Sequence, residues 1–234
     1  MRDIVNIEIE MINRYEGDIM QDIIKKDKGI TYEIFQEKDL EETATLISEI
    51  FTRGEPVTKA LGMTAKEFYS FADLYCKKAV KDGLSMIAKD KDKVVGFIIS
   101  EDFDSAQPEG IENIDIKGIP LMALVDEIEK DAKSNKKEGE KRFHMFLGGT
   151  DKQYEGRHIG TTLVEESMKL AKNKNFTSII AEPSGFATQH MFRDKFKGFE
   201  QKNFIEYKTF QYNGKNVFEN IDGPIGLPLM EKRL

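Results

Sequence analysis

The residues best placed to do chemistry lie between positions 147 and 161. Leu147-Gly148-Gly149-Thr150 closes an apolar run that begins at Phe143, and a polar loop leads through Glu155, Gly156, Arg157 and His158 to Ile159-Gly160-Thr161. From Ile159 on, Leu163, Val164, Leu170 and Ala171 recur at helical spacing. The pattern is a buried strand ending in glycines, a loop, then a helix with no Ser, Thr, Asp or Asn immediately before its first apolar residue. The first N–H groups of such a helix lack a local acceptor, and the helix dipole adds to their attraction for an external anion such as a pyrophosphate. Arg157 strengthens that attraction and Glu155 opposes it. On these residues alone, Gly156 and Gly160 serve equally well as turn and packing glycines, because short glycine patterns recur by chance.

A few side chains elsewhere have the right chemistry. Glu55 follows a predicted helix and precedes Pro56, which holds it in an extended conformation; taken by itself it reads as a solvated loop carboxylate. His144, on the strand before the glycines, reads as a packed residue, and so does His190 on a later helix. The three histidines show no metal-ligand spacing, and one cysteine adds no partner for zinc. Cys76 falls on the apolar side of a predicted helix and reads as core.

The elements that must position these groups are legible from periodicity. Alternation predicts a strand over 30–36. A capping-box-like Asp39 and Glu42 open a helix with Leu40, Ala44, Ile47 and Phe51 on one side, broken at Gly54-Glu55-Pro56. A second helix covers 65–81 and ends at Gly83. Two apolar runs, 84–89 and 93–100, read as a hairpin; 119–133 reads as a helix and 102–118 as loop. After the strand at 143–147 and the helix at 158–174 come a short buried strand at 177–181, a helix at 184–196, a strand within 199–212, and a return strand at 215–218 across an Asn213-Gly214 turn. Hairpins early and late with one crossover between them predict a mixed α/β (α+β) domain rather than a doubly wound sheet. Residues 1–29 read as a helical N-terminal extension and 30–234 as the domain.

Composition excludes some partners. The chain has 234 residues, 39% hydrophobic and 33% charged, with a net charge of −7; that balance suits a globular protein and argues against nucleic-acid binding, which usually needs a basic excess. No signal-like or bilayer-length apolar run is present, and a lone cysteine fits a reducing compartment, so the cytoplasm is the default expectation.

The run 149–163 resembles the coenzyme A motif of the GNAT N-acyltransferase superfamily, in which a strand and a polar loop lead to Arg/Gln-x-x-Gly-x-Gly/Ala at the start of a helix. Glu155-Gly156-Arg157-His158-Ile159-Gly160 occupies it, with Glu155 where Arg or Gln is usual and His158 where the first glycine is usual. Residues 84–100 look like the family's central hairpin and 184–199 like its final helix. Phe51-Thr52-Arg53-Gly54-Glu55-Pro56-Val57, followed by Ala60-Leu61-Gly62, is similar to the arylalkylamine N-acetyltransferase-like branch, where a helix ends in an aromatic residue followed shortly by Glu-Pro-Leu.

This resemblance implies a GNAT-like acyl-CoA N-acyltransferase fold, with a mixed, mostly antiparallel sheet flanked by helices. It implies acetyl-CoA lying along Leu147, Gly148, Gly149, Gly156, Arg157, His158, Ile159, Gly160 and Thr161, with Phe192 beside it; the histidine spacing and the lone cysteine lead to the expectation of no metal. Glu55 would take the proton of a small primary amine, directly or through a water, and a backbone N–H near 147–149 would face the thioester carbonyl. Many members place a Tyr on the last helix to protonate the leaving thiolate. Here Met191-Phe192-Arg193 stands in that neighbourhood, which leaves Ser184, Thr188 or a water. The acceptor class spans arylalkylamines, polyamines and other small amines, with the protein a monomer or homodimer. The competing expectation is a non-catalytic acyl-CoA-binding module of the same fold.

Overall fold

The computed structural model describes residues 23–234. Eight strands form one sheet: β1 (Ile23–Asp27), β2 (Ile30–Ile34), β3 (Met86–Asp90), β4 (Lys93–Asp102), β5 (Arg142–Thr150), β6 (Ser178–Ala181), β7 (Glu200–Glu206) and β8 (Gly226–Arg233), in the order β1-β2-β3-β4-β5-β6-β8-β7. Every neighbouring pair is antiparallel except β5 and β6, which are joined by a helical crossover. Helices cover both faces: α1 (Leu40–Gly54), α2 (Pro56–Ala60), α3 (Ala65–Asp82), α4 (Ile119–Ser134), α5 (Ile159–Asn173) and α6 (Phe186–His190). The expected mixed, mostly antiparallel sheet between helices is therefore present.

The central strands are apolar on both faces because both faces are covered. One layer packs Tyr32, Met86 and Phe143 under Leu163 of α5 and Phe192. The opposite layer packs Ile87, Phe97 and Leu147 under Ile47 of α1 and Phe68 and Phe71 of α3. A third cluster joins Leu124 and Ile128 of α4 to Ile180, Leu227, Leu229, Tyr207 and Phe218.

Four expectations are corrected. Residues 23–27, read as part of a helical extension, form β1, which turns into β2 through Lys28 (φ 48°) and Gly29 (φ 81°); the rest of the extension lies outside the described residues. Asp39 does not cap α1. Its Oδ1 accepts from Lys89 Nζ at 2.7 Å in a buried pair instead. The helix expected over 184–196 is α6 plus a π-turn at Met191–Lys195. The Asn213-Gly214 turn exists, with an isolated Tyr212–Lys215 bridge, but 215–218 is no strand.

The partner of β7 is instead β8, which inserts between β6 and β7. Pro228 within that run argues against a central strand. The fold admits it because β6 pairs with β8 only from Met230 onward, leaving β8 with a neighbour on one side at Pro228.

Candidate active site

The site is built where β5 loses a neighbour. From Phe143 to Thr150 β5 pairs with β4, with Phe146 as an extra residue between the Ile99–Leu147 and Ser100–Met145 pairs; such a bulge bends a strand locally. On its other side β5 pairs with β6 only as far as Met145–Ala181. Beyond that point the two chains part, Leu147–Thr150 on one side and Glu182–Ser184 on the other. A cavity of about 480 Å³ occupies the wedge. Its wall runs from Gly160, Leu163 and Val164 of α5, past Leu147 and Gly148, to Glu55 at the α1–α2 junction and to Phe68, Phe71, Leu121 and Met122. Because those residues belong to the packing layers of both faces, the cavity passes through the sheet.

Glu55 is fixed by local structure. Its backbone is extended (φ −76°, ψ 126°), Pro56 opens α2, and its side chain caps that short helix. Oε1 accepts from the Val57 N–H at 3.1 Å and Oε2 from the Thr58 N–H at 2.6 Å. The Glu-Pro pair is thus a capped helix start, and it holds the carboxylate in the cavity wall. Tyr207 lies close by. Burial, and then the charge of Glu55, push its phenol upward, and its O–H donates to the Ser184 carbonyl at 3.1 Å.

The sequence-predicted ligand residues divide. Leu147, Gly148, Gly149, Gly160, Phe192, Ser184 and Thr188 line the cavity, as does Glu155. Thr188 already donates its hydroxyl to the Gly185 carbonyl at 2.9 Å, whereas no such bond engages the Ser184 hydroxyl among the described residues. Phe192 sits in the π-turn, buried edge-on against Phe199. The remaining residues do not line the cavity. Ile159 is core at 1% exposure, Arg157 is exposed over the Tyr154 ring, and Thr161 Oγ1 accepts from Lys195 Nζ at 2.9 Å. Gly156 (φ 77°) and His158 (φ 63°) both take the left-handed backbone.

The start of α5 matches the uncapped helix expected. No side chain caps it, and its first backbone bond runs from the Thr162 N–H to the His158 carbonyl at 3.0 Å, so the N–H groups ahead of it are free among the described residues. That donor set fits a pyrophosphate. At Gly149 a Cβ would stand 2.9 Å from Phe97 Cζ and 3.1 Å from Ile50 Cγ2, so this glycine answers to packing against α1 as well as to the cavity.

His144 is packed, as expected, but not inertly. It is 2% exposed, lies edge-on to Phe103, and places Nε2 2.7 Å from Glu182 Oε2 and Nδ1 3.2 Å from Glu101 Oε1. Burial disfavours its charge, but Glu182, Glu101 and Glu129 outweigh burial and hold it protonated well above the usual histidine range. Glu129, deeply buried and facing the negative charge of Glu182, is pushed up to about 7. Ligand atoms of Glu129, His144 and Glu182 lie within 4.8 Å of one another, a grouping of metal-ligand types that the histidine spacing did not suggest. Sequence reasoning missed Glu182, Glu101 and Glu129 because they come from three separate elements and share no spacing.

Comparison with known proteins gives the same architecture. A sequence model described as Acetyltransferase (GNAT) family matches residues 45–199. No curated protein matches the chain. Among solved structures, arylalkylamine N-acetyltransferase 2 from Aedes aegypti superposes with a TM-score of 0.73 at 19% identity, covering 88% of this chain and 99% of that one. The C-terminal condensation domain of Ebony, in complex with beta-alanyl-dopamine, superposes with a TM-score of 0.79 at 15% identity over 88% and 99%. A Drosophila melanogaster polyamine N-acetyltransferase gives 0.70 at 16% identity, over 88% of this chain and 99% of that one. The family match spans the helix before Glu55, the β5 wedge and the uncapped start of α5, and on that ground the chain belongs to the Acetyltransferase (GNAT) family.

Proposed function

We propose that the protein transfers an acetyl group from acetyl-CoA to a primary amine of a small molecule, by direct attack in a ternary complex. The observation that carries this reading is the single cavity through the sheet, with an anion-ready helix start on one face and a fixed carboxylate on the other. In this reading the pyrophosphate rests on the free N–H groups of α5, and the pantetheine arm follows Leu147–Thr150. The acetyl carbonyl then faces the β5 backbone where β6 has left it. Both substrates are thereby held in one geometry, which supplies much of the rate enhancement of such a transfer.

Glu55 accepts the ammonium proton through a water, because both of its oxygens already receive one backbone N–H each and keep a lone pair for that water. The neutral amine attacks the carbonyl carbon, and the C–S bond breaks. The products are the amide and the free thiol. The second nitrogen proton passes to the departing sulfur; Ser184, its hydroxyl less engaged than that of Thr188, can relay it by giving one proton to the thiolate as it takes the other from the nitrogen, and the thiolate is in any case a fair leaving group near neutral pH.

Thiol release with acetyl-CoA and a panel of amines tests the reading. Glu55→Gln should lower kcat by about 10²-fold while the KM for acetyl-CoA stays within about twofold; unchanged turnover would remove Glu55 from the mechanism. Acetyl-CoA binding in calorimetry with no thiol released from any amine would instead leave a binding module.

A further inference from the structure

The cavity wall holds a second carboxylate that the reaction above does not use. Glu182 follows the last residue of β6, at the apex of the wedge, and its side chain is only 6% exposed. Its Oε2 is held by His144, itself braced on the far side by Glu101, so the group cannot swing out to water. Its Oε1 has no hydrogen-bond partner, and among the described residues it is the one buried carboxylate oxygen of the cavity wall left in that state. A buried acceptor without a donor is costly, which marks this oxygen as one that a ligand satisfies.

Among the described residues, His144 is the only cation paired with Glu182. Lys78 pairs with Asp82 at 2.5 Å and with Glu101 at 3.1 Å, and Lys133 pairs with Glu129 at 2.7 Å. Met122, Val125 and Phe146, which separate the cavity from the His144 cluster, offer apolar contact but no donor side chain. An acceptor with a neutral tail would therefore bury Oε1 unpaired, whereas an ammonium or guanidinium there would make a charge-assisted hydrogen bond.

We propose that Glu182 receives a second cationic group of the acceptor, so that the preferred acceptors are dications, diamines or aminoalkyl guanidines, rather than amines with an apolar tail. This rests on the reading of the cavity as an acetyl-transfer site in which Glu55 serves the reacting nitrogen.

Two measurements on the full chain test it separately from that reading. The first compares kcat/KM for 1,5-diaminopentane and 1-aminopentane. The diamine should lead by at least about tenfold, and in Glu182→Gln the ratio should fall to about one. A merely structural loss in this variant would lower both substrates together and leave the ratio standing. The second titrates the same two amines into the protein saturated with coenzyme A, and should show a similar preference that Glu182→Gln removes. Equal handling of the two amines by the wild type, or a preference that survives Glu182→Gln, overturns the proposal. Should Glu182→Gln not fold, the wild-type comparison decides alone. Should no thiol be released from any amine, acyl transfer fails, and the titration still decides whether Glu182 recognises a dication.

Discussion

Single residues at this site answer to more than one demand. Glu55 caps α2 with both oxygens while facing the cavity. His158 carries a Cβ in a left-handed backbone (φ 63°) that glycine adopts without penalty. No bond of its side chain offsets that strain among the described residues, and the group is exposed. His158→Gly should therefore raise the free energy of unfolding, by up to about 1 kcal/mol, as measured by urea denaturation. A loss of stability would show instead that the imidazole makes a contact worth more than the backbone strain. Gly156 (φ 77°) has open space where a Cβ would stand, so Gly156→Ala should cost about 1 kcal/mol through backbone strain alone.

At the scale of elements, the position of Glu55 depends on how α1 sits on β4 and β5. Ile50 of α1 and Phe97 of β4 both close on Gly149, and an added Cβ would meet them at 3.1 Å and 2.9 Å. Phe97 is itself buried, so little can give way. Gly149→Ala should destabilise the fold by about 1–3 kcal/mol and lift α1, together with Glu55 at its end; a parallel drop in Tm and kcat would report both. The β7–β8 ladder is tighter still. A Cβ on Gly226 would overlap the Ile205 carbonyl and stand 2.8 Å from Phe204 Cζ. Gly226→Ala should break the end of that ladder and free Leu227, a cavity-lining residue, at a cost above that of Gly149→Ala.

For the molecule as a whole, the His144 cluster sets how stability varies with pH. Glu129 is held up to about 7 in the folded state, so as pH rises from about 4.5 the unfolded chain sheds this proton first and the fold loses stability until about pH 7. His144 keeps its proton well above 6.5, so its contribution is complete below that value and fades as pH rises through the folded value. Both groups act in one direction. Burial pushes the carboxylates of Glu101 and Asp104 upward, but His144 and Arg142 respectively outweigh it and hold them below their usual range, as Lys93 holds Asp151; these groups oppose the trend only in acid, where their own contribution is lost. Denaturant unfolding should be easier at pH 8 than at pH 6 by about 1–3 kcal/mol, and Glu129→Gln should flatten the part of the fall below pH 7. A curve that rises over that interval would contradict the protonated cluster.

Much of this protein follows from its sequence alone. Apolar spacing placed α1, α3, α4 and α5, because each buries one helical face. The all-apolar runs placed β3, β4 and β5, because both faces of those strands are covered. The uncapped start of α5 and the Glu-Pro junction were legible because capping and proline act within a few residues. What only the tertiary structure decided is non-local. Pairing of β8 between β6 and β7 depends on β6 ending at Ala181, which no pattern around Pro228 announces. The role of Gly149 depends on Ile50 and Phe97, and the charge on His144 depends on Glu101, Glu129 and Glu182. Residues 147–161 could be read from their own order as a strand, a loop and an uncapped helix start, which suits an anion no better than ordinary turn and packing glycines. The wedge that joins them to Glu55 and Glu182 exists because two strands, adjacent only after a helical crossover, part company one residue past Met145.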